Sequence, residues 1–415
     1  MFVTLFYTLW DRYSLTIIIG LTSYISVVRL LRYRRMRKIE CPFAHGKREL
    51  SSMTTNEAHA IIAQLQELEF PYAFGKARKI ALLKAGGIPT MSKLFAVTGQ
   101  NNKRNSGKRA VDTEILLREA QSKPRDSDRY MSAVARMNYL HARYRQANKI
   151  TDNDLLHTLG DGLAEILNVV EREEWRKLTD TEKCALGVFH RNLGEDMGIP
   201  FDPLSSSNGW RDGLHFALEL RDWTVSYEEE VAKPVATNDQ YVRVYVDSAM
   251  SSLPSFVRTT VRKMLGADLD DVMRTSLCLE SPGPILSFVL ACIRKSRKLF
   301  LRYLALPRFS AVKLVHEKPN LKTHLYNFER KSLQPWYMEP SFWSTWGPGA
   351  LLVRALGGKV PGSRDRYQPQ GYDLMTIGPE PQREKGAEEM RVDIEVIKMR
   401  GVATCPFSQA KYASK

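Results

Sequence analysis

The chain has 415 residues, enough for one large domain or two ordinary ones. Its 43% hydrophobic, 10% aromatic and 26% charged residues make a globular balance that excludes a disordered chain, a collagen-like fibre and a disulfide-stapled miniprotein. The 61 Lys+Arg against 46 Asp+Glu leave +15, which points to nucleic acid or an anionic membrane as partner until the distribution of the charge is read. Five widely spaced cysteines without a CxxC pair fit a reducing compartment.

Residues 1–38 form the first unit. Leu15–Leu31 is apolar over a length near the lower limit for one membrane span. After residues 15–28 the chain turns basic, with Arg29, Arg32, Arg34, Arg35, Arg37 and Lys38, and +5 of the +15 lies in residues 1–40. A cleaved signal peptide carries its charges before the apolar run, and a surface helix has a charged face that residues 15–28 lack. The order fits a single-pass signal anchor, whose basic flank the positive-inside rule keeps in the cytosol with everything after it. The absence of an N-x-Ser/Thr sequon agrees with that side. The remaining charge is scattered, with no basic run interleaved with aromatics, so no nucleic-acid partner is expected.

Helical periodicity dominates from residue 50 onward and predicts an all-α body. Thr54-Thr55-Asn56-Glu57 has capping-box spacing, and Thr179-Asp180-Thr181-Glu182 repeats it. Helices are predicted at 72–85, 108–121, 126–147, from a cap at Asp152 or Asn153 to about 171, at 179–197, 210–223, 241–252, 254–265 and 283–304. Residues 285–293 are too short for a second span and read as a buried or membrane-facing helix. After 306 the chain is rich in Pro, Gly and Trp; the aromatics of 335–347 suit either the core or lipid. The stretch 379–390 reads as a solvated loop and the alternating 391–397 as a short strand. The divisions are 1–38, 39–107, a core at 108–305 and an extension at 306–415.

Among enzyme signatures GxGxxG, a Walker loop, HExxH, GxSxG and zinc-ligand spacing are all missing. What remains is a pattern in 108–160. Arg109 and Thr113 share one helix face, and Asn138, His141 and Arg145 share a face of the next long helix. A neutral imidazole at His141 suits an axial iron ligand, and arginines suit haem propionates. Spacing alone equally describes a solvated face. His157 and His190 read as satisfied interhelical histidines, and His45, His59, His215, His316 and His324 have no suggestive neighbours.

KRAVDTEILL (108–117), MNYLHARYR (137–145), DNDLLHTLG (152–160) and EWRKLTDTEKCALGVFHRNLGEDMGIP (174–200) together resemble the fungal ER-bound oxygenases of the mycophenolic acid pathway type. That family shares a catalytic domain with bacterial rubber oxygenases, the latex-clearing proteins. The resemblance implies a large helical domain holding haem b, with His141 as proximal ligand of the iron and Arg145 one turn beyond it. Arg109 and Thr113 match the distal Arg-x-x-x-Thr pair, and Asn138 stands where the rubber oxygenases carry an arginine. It further implies an ER-membrane enzyme that uses molecular oxygen to cleave a C=C bond in the prenyl-type chain of a lipophilic secondary metabolite. Hydroxylation or ring formation, and a non-catalytic membrane-tethered scaffold, are the alternatives.

Overall fold

The computed structural model describes residues 2–44, 47–99, 102, 104–207, 209–250, 253–330, 332–400 and 405–407; His45 lies outside them. The helices, in chain order, are α1 (Phe2–Glu40), α2 (Thr55–Gln64), α3 (Pro71–Lys84), α4 (Pro89–Val97), α5 (Ser106–Ser122), α6 (Asp128–Gln146), α7 (Asp152–Glu173) and α8 (Asp180–Asp196). They continue as α9 (Gly213–Val231), α10 (Ala236–Ala249), α11 (Ser255–Gly266), α12 (Asp271–Ser276), α13 (Gly283–Tyr303), α14 (Phe342–Trp346), α15 (Pro348–Ala355) and α16 (Ala387–Met399). The fold is all-α: among the described residues β pairing is limited to two isolated bridges, Val315 with Phe328 and Tyr326 with Tyr372.

Both expected capping boxes form, at Thr54/Glu57 and Thr179/Glu182. The α7 start is corrected by one residue: Thr151, rather than Asp152 or Asn153, is the N-cap, and it pairs reciprocally with Asp154. Residues 391–397 are helix and not strand. Met390 and Ile397 are buried and Ile394 packs on the core, a helical stripe that turns toward α6 and wins over the local alternation. The loop expected through 390 therefore ends where α16 begins, at Ala387.

One hydrophobic core runs from Ile39 to Phe407. Its central layer is α7, packed on α3, α8 and α9, and α5 and α6 pair alongside. α8 and α9 approach closely because Gly187 faces Gly213: a Cβ on Gly187 would lie 1.8 Å from the Gly213 carbonyl oxygen. Buried ion pairs fasten the layers. Arg125 bridges to Asp196 at 2.6 Å, and Tyr130 donates to the same carboxylate at 2.8 Å. Arg136, fully buried on α6, donates to the carbonyls of Thr376, Ile377, Gln382 and Lys385. It thereby pins the C-terminal segment against α6.

Outside this body, α1 presents Leu15, Ile17, Ile18, Ile19 and Leu21 to the surroundings. Leu15–Phe43 is long and apolar enough to cross a membrane. The 335–347 aromatics divide: Trp336 and Tyr337 enter the core, while Phe342, Trp343 and Trp346 stand exposed. α13 contains no buried residue, so a buried core helix at 285–293 is excluded.

Candidate active site

A cavity of about 940 Å³ opens between α3, α4, α5, α6, α7, α8, α10 and the segment 365–383. It lies at the upper end of the roughly 300–1,000 Å³ common for ligand pockets. Phe74, Leu94, Leu116, Leu140, Leu159 and Ile166 make much of the wall apolar. Exposed cations stand where it opens, among them Arg104, Arg143, Lys149 and Arg366. The segment 376–385, held by Arg136, closes one side. Lys108 adds a second fastening, donating to Gly378 O at 2.8 Å and pairing with Asp112 at 2.7 Å.

The structure brings Arg109, Thr113 and His141 to this one cavity. Arg109 lies with its guanidinium 4.1 Å from the Phe95 ring centroid and 5.7 Å from that of Tyr241. Two aromatic faces hold the charge in place without neutralising it. Thr113 donates its hydroxyl to Arg109 O at 2.9 Å, one turn back on α5. His141 on α6 makes no side-chain hydrogen bond among the described residues, and its Nδ1 is buried without a partner. Burial, with the Arg145 charge behind it, pushes its imidazole down to about 4, so the ring is neutral near pH 7.

Arg145 is not in the cavity wall. It donates to Met197 O at 3.2 Å and Gly198 O at 2.9 Å and pairs with Asp152 at 3.2 Å, fastening the α6 end to the α8 end. Asn138 likewise donates to Asp196 O and to Asp393. The i, i+3, i+7 set therefore splits, with His141 facing the cavity and its two neighbours serving the fold.

His190, read from sequence as a satisfied interhelical histidine, instead bonds within its own helix and faces the cavity. It lies on α8, 4% exposed, and lines the same cavity. Its Nδ1 donates to Leu186 O at 2.7 Å, the bond available to a neutral ring on a helix. That leaves Nε2 as a lone-pair donor, with bare Gly162 across from it: a Cβ there would lie 3.9 Å from Nε2 and meet nothing nearer. Burial holds His190 down to about 4 as well. Metal-binding imidazoles commonly have their second nitrogen committed in this way.

His157, read from sequence as a satisfied interhelical histidine, bridges two helices but is satisfied only at Nε2, its Nδ1 being buried without a partner. Its Nε2 lies 2.9 Å from Glu228 on α9. Lys84 completes the cluster, 2.8 Å from Glu228, 3.2 Å from Glu165 and 3.3 Å from Asp161. Burial alone would lower Lys84, but the carboxylates outweigh it and hold the ammonium well above its ordinary value. His157, Asp161 and Glu228 also converge closely enough for a metal ion, yet the ammonium already fills the cation's place between those carboxylates. Asp112, beside Thr113 in the wall, is similarly committed: Tyr337 donates to it at 2.7 Å.

An all-helical body behind an apolar N-terminal helix, with a large apolar cavity bearing neutral imidazoles and a fixed guanidinium, defines a membrane-associated enzyme class. No protein-family model matches the chain. Among characterised proteins it is 33% identical over 400 residues to ER-bound oxygenase mpaB' of Penicillium brevicompactum, covering 95% of this chain and 94% of that one. ER-bound oxygenase mpaB of the same organism is 34% identical over 364 residues, 86% of each chain. Its namesake from Penicillium roqueforti is 34% identical over 271 residues, 65% of this chain and 90% of the relative. The chain belongs to the ER-bound oxygenase mpaB family, and is an oxidoreductase of the oxygenase kind.

Proposed function

We propose that this oxygenase is haem-dependent, anchored in the ER membrane by α1, and cleaves a C=C bond in the prenyl-type chain of a lipophilic secondary metabolite. The observation that carries the reading is the meeting of His141, His190, Arg109 and Thr113 on one largely apolar cavity. The residues present fit a haem. His141 has a buried, unpartnered ring nitrogen, the wall is apolar, and the cations where the cavity opens supply the charges that propionates pair with. When bound, haem b would supply an iron centre able to activate dioxygen. The resemblance selects His141 as the ligand; His190, with Nδ1 committed and Nε2 free, is a second imidazole equipped for that task.

The rest is the work of the chain. The apolar wall holds a prenyl-type chain and excludes water from the reacting carbons. Arg109, held against the stacked pair Phe95 and Tyr241, offers a pre-aimed positive charge to an oxygen that turns anionic during reaction. Thr113 can turn its hydroxyl from Arg109 O toward the cavity and hold a proton there. The basic flank of α1 favours a cytosolic body on a single span. A lipophilic substrate dissolved in the bilayer is then within reach of a tethered site.

Membership in an oxygenase family sets the scaffold alternative aside. Cleavage and hydroxylation separate by product mass: purified full-length protein given a prenylated aromatic under oxygen yields shortened carbonyl fragments in the first case and an intact, oxygenated carbon skeleton in the second. Arg109→Leu lowers kcat by about 10²–10³-fold with a smaller change in KM. Undiminished turnover in that variant, or a product with its carbon skeleton intact, overturns the respective part of the proposal.

A further inference from the structure

α13 is built inside out for a water-soluble body. Along its 21 residues, Ile285, Phe288, Val289, Cys292, Ile293, Ser296, Leu299 and Phe300 recur at helical spacing on one face. That face points away from the protein: Ile285 is 80% exposed, Phe288 70% and Ile293 58%. Two of its arginines, Arg294 and Arg297, point inward. Arg294 bonds Glu173 at 3.2 Å and Asp268 at 2.8 Å. Arg297 donates to Glu173 O at 2.6 Å, pairs with Glu174 at 3.0 Å and covers the Tyr72 ring. In water such a helix would rotate its apolar stripe toward the core. Here the ion pairs fix the opposite orientation, which is stable only where the outside is itself apolar.

The neighbouring helix identifies that outside. α1 grips the end of α13 and the residues just after it from the second half of its apolar run, at Tyr24, to its basic flank, at Arg32 and Arg35. Tyr24 donates to Leu304 O at 2.7 Å, Arg32 to Ala305 O at 2.8 Å, and Arg35 to Arg308 O at 3.0 Å. Tyrosine and arginine along that stretch mark a headgroup layer. The exposed stripe of α13 is thus joined to the exposed apolar face of the span. Leu304, Leu306 and Phe309 extend it past the junction.

We propose that α13 lies in the membrane interface as a second lipid contact, its 285–300 stripe sunk into the acyl boundary of a phospholipid bilayer. The catalytic body is therefore seated on the membrane at two elements and does not swing from a single tether. The partner is the bilayer itself, in preference to a second copy of the chain, because the stripe is continuous with a membrane span and is bordered by Lys295 and Arg302, cations suited to phosphate headgroups.

The test uses the full chain in phosphatidylcholine nanodiscs with the exposed thiols removed (Cys41→Ser, Cys278→Ser, Cys292→Ser). A single environment-sensitive fluorophore is then placed through Phe288→Cys or Ile293→Cys. Leu21→Cys in α1 serves as the lipid reference and Glu388→Cys on α16 as the aqueous one. These sites are exposed, so labelling disturbs no packing. Lipid contact predicts that labels at 288 and 293 are quenched by doxyl-phosphatidylcholine severalfold more than at 388 and are shielded from iodide, as at 21. Iodide quenching at 288 equal to that at 388 overturns the proposal. Shielding from both quenchers also overturns it, because protein then covers the stripe. Failure of the protein to enter nanodiscs at all, with position 21 in water, rejects the anchor reading instead.

Discussion

Replacing Lys84 by methionine removes one charge from a buried ionic cluster between α3, α7 and α9. Lys84 is 3% exposed and meets Glu228, Glu165 and Asp161 at 2.8–3.3 Å. Methionine keeps the volume of the stem, so the perturbation is electrostatic. Three buried carboxylates would remain, with the Arg172 charge acting on Glu165 and the His157 hydrogen bond on Glu228. Breaking a buried pair by removing one partner typically costs about 3–5 kcal/mol. In a body of this size that loss lowers an apparent Tm by on the order of 5 °C. The sign with pH is fixed by the same geometry. Burial already raises Asp161 well above its ordinary value even with Lys84 present. Without the ammonium the carboxyls bind protons more tightly in the folded than in the unfolded state, so stability falls as pH rises from the unfolded carboxyl range through their raised folded values. Tryptophan-fluorescence melts of Lys84→Met and the parent in detergent, at pH 5 and pH 8 and one scan rate, read both effects. The loss should be larger at pH 8. A loss below about 1 kcal/mol that does not change with pH would refute the assignment of Lys84 as the cluster's essential cation.

Two further outcomes follow from the site and the core. Gly162→Leu places a side chain in front of His190 Nε2, where a Cβ meets nothing closer than 3.9 Å. The protein should fold and melt like the parent but lose haem content and turnover, and unchanged haem content would show that Nε2 faces no bound group. Burial raises the Cys184 thiol to about 12, so iodoacetamide at pH 8 should alkylate exposed Cys41 and Cys278 while leaving Cys184 unmodified. A Cys184 adduct under native conditions contradicts its burial.

The fold was legible where local signals act. The Thr54 and Thr179 capping boxes and the basic flank after the apolar run are properties of a few adjacent residues. Misreading 391–397 as a strand has a local cause too. Val392, Ile394 and Val396 alternate, while Met390, Ile394 and Ile397 recur at helical spacing, and only the presence of α6 decides between the patterns. The site was legible in part. Arg109, Thr113 and His141 lie on two successive helices and line one cavity. Arg145 shares the His141 face by spacing, but the α8 end offers it two carbonyls and it leaves the wall. His190 and the partners of Lys84 could not be placed in the same way, because α3, α7, α8 and α9 must first pack. The inward turn of Arg294 and Arg297 on α13 was hidden for the same reason, since their acidic partners come from α7 and the loop after α11.

The central claim is that the cavity holds haem on a histidine, and the most direct measurement is the absorption spectrum and haem content of purified full-length protein beside its His141→Ala variant, with His190→Ala in parallel. The account predicts a Soret band and stoichiometric haem in the parent, and loss of both in His141→Ala while the helical circular dichroism is retained. Loss only in His190→Ala would move the ligand from α6 to α8 within the same cavity. Colourless, haem-free parent protein that still oxygenates its substrate would contradict the account.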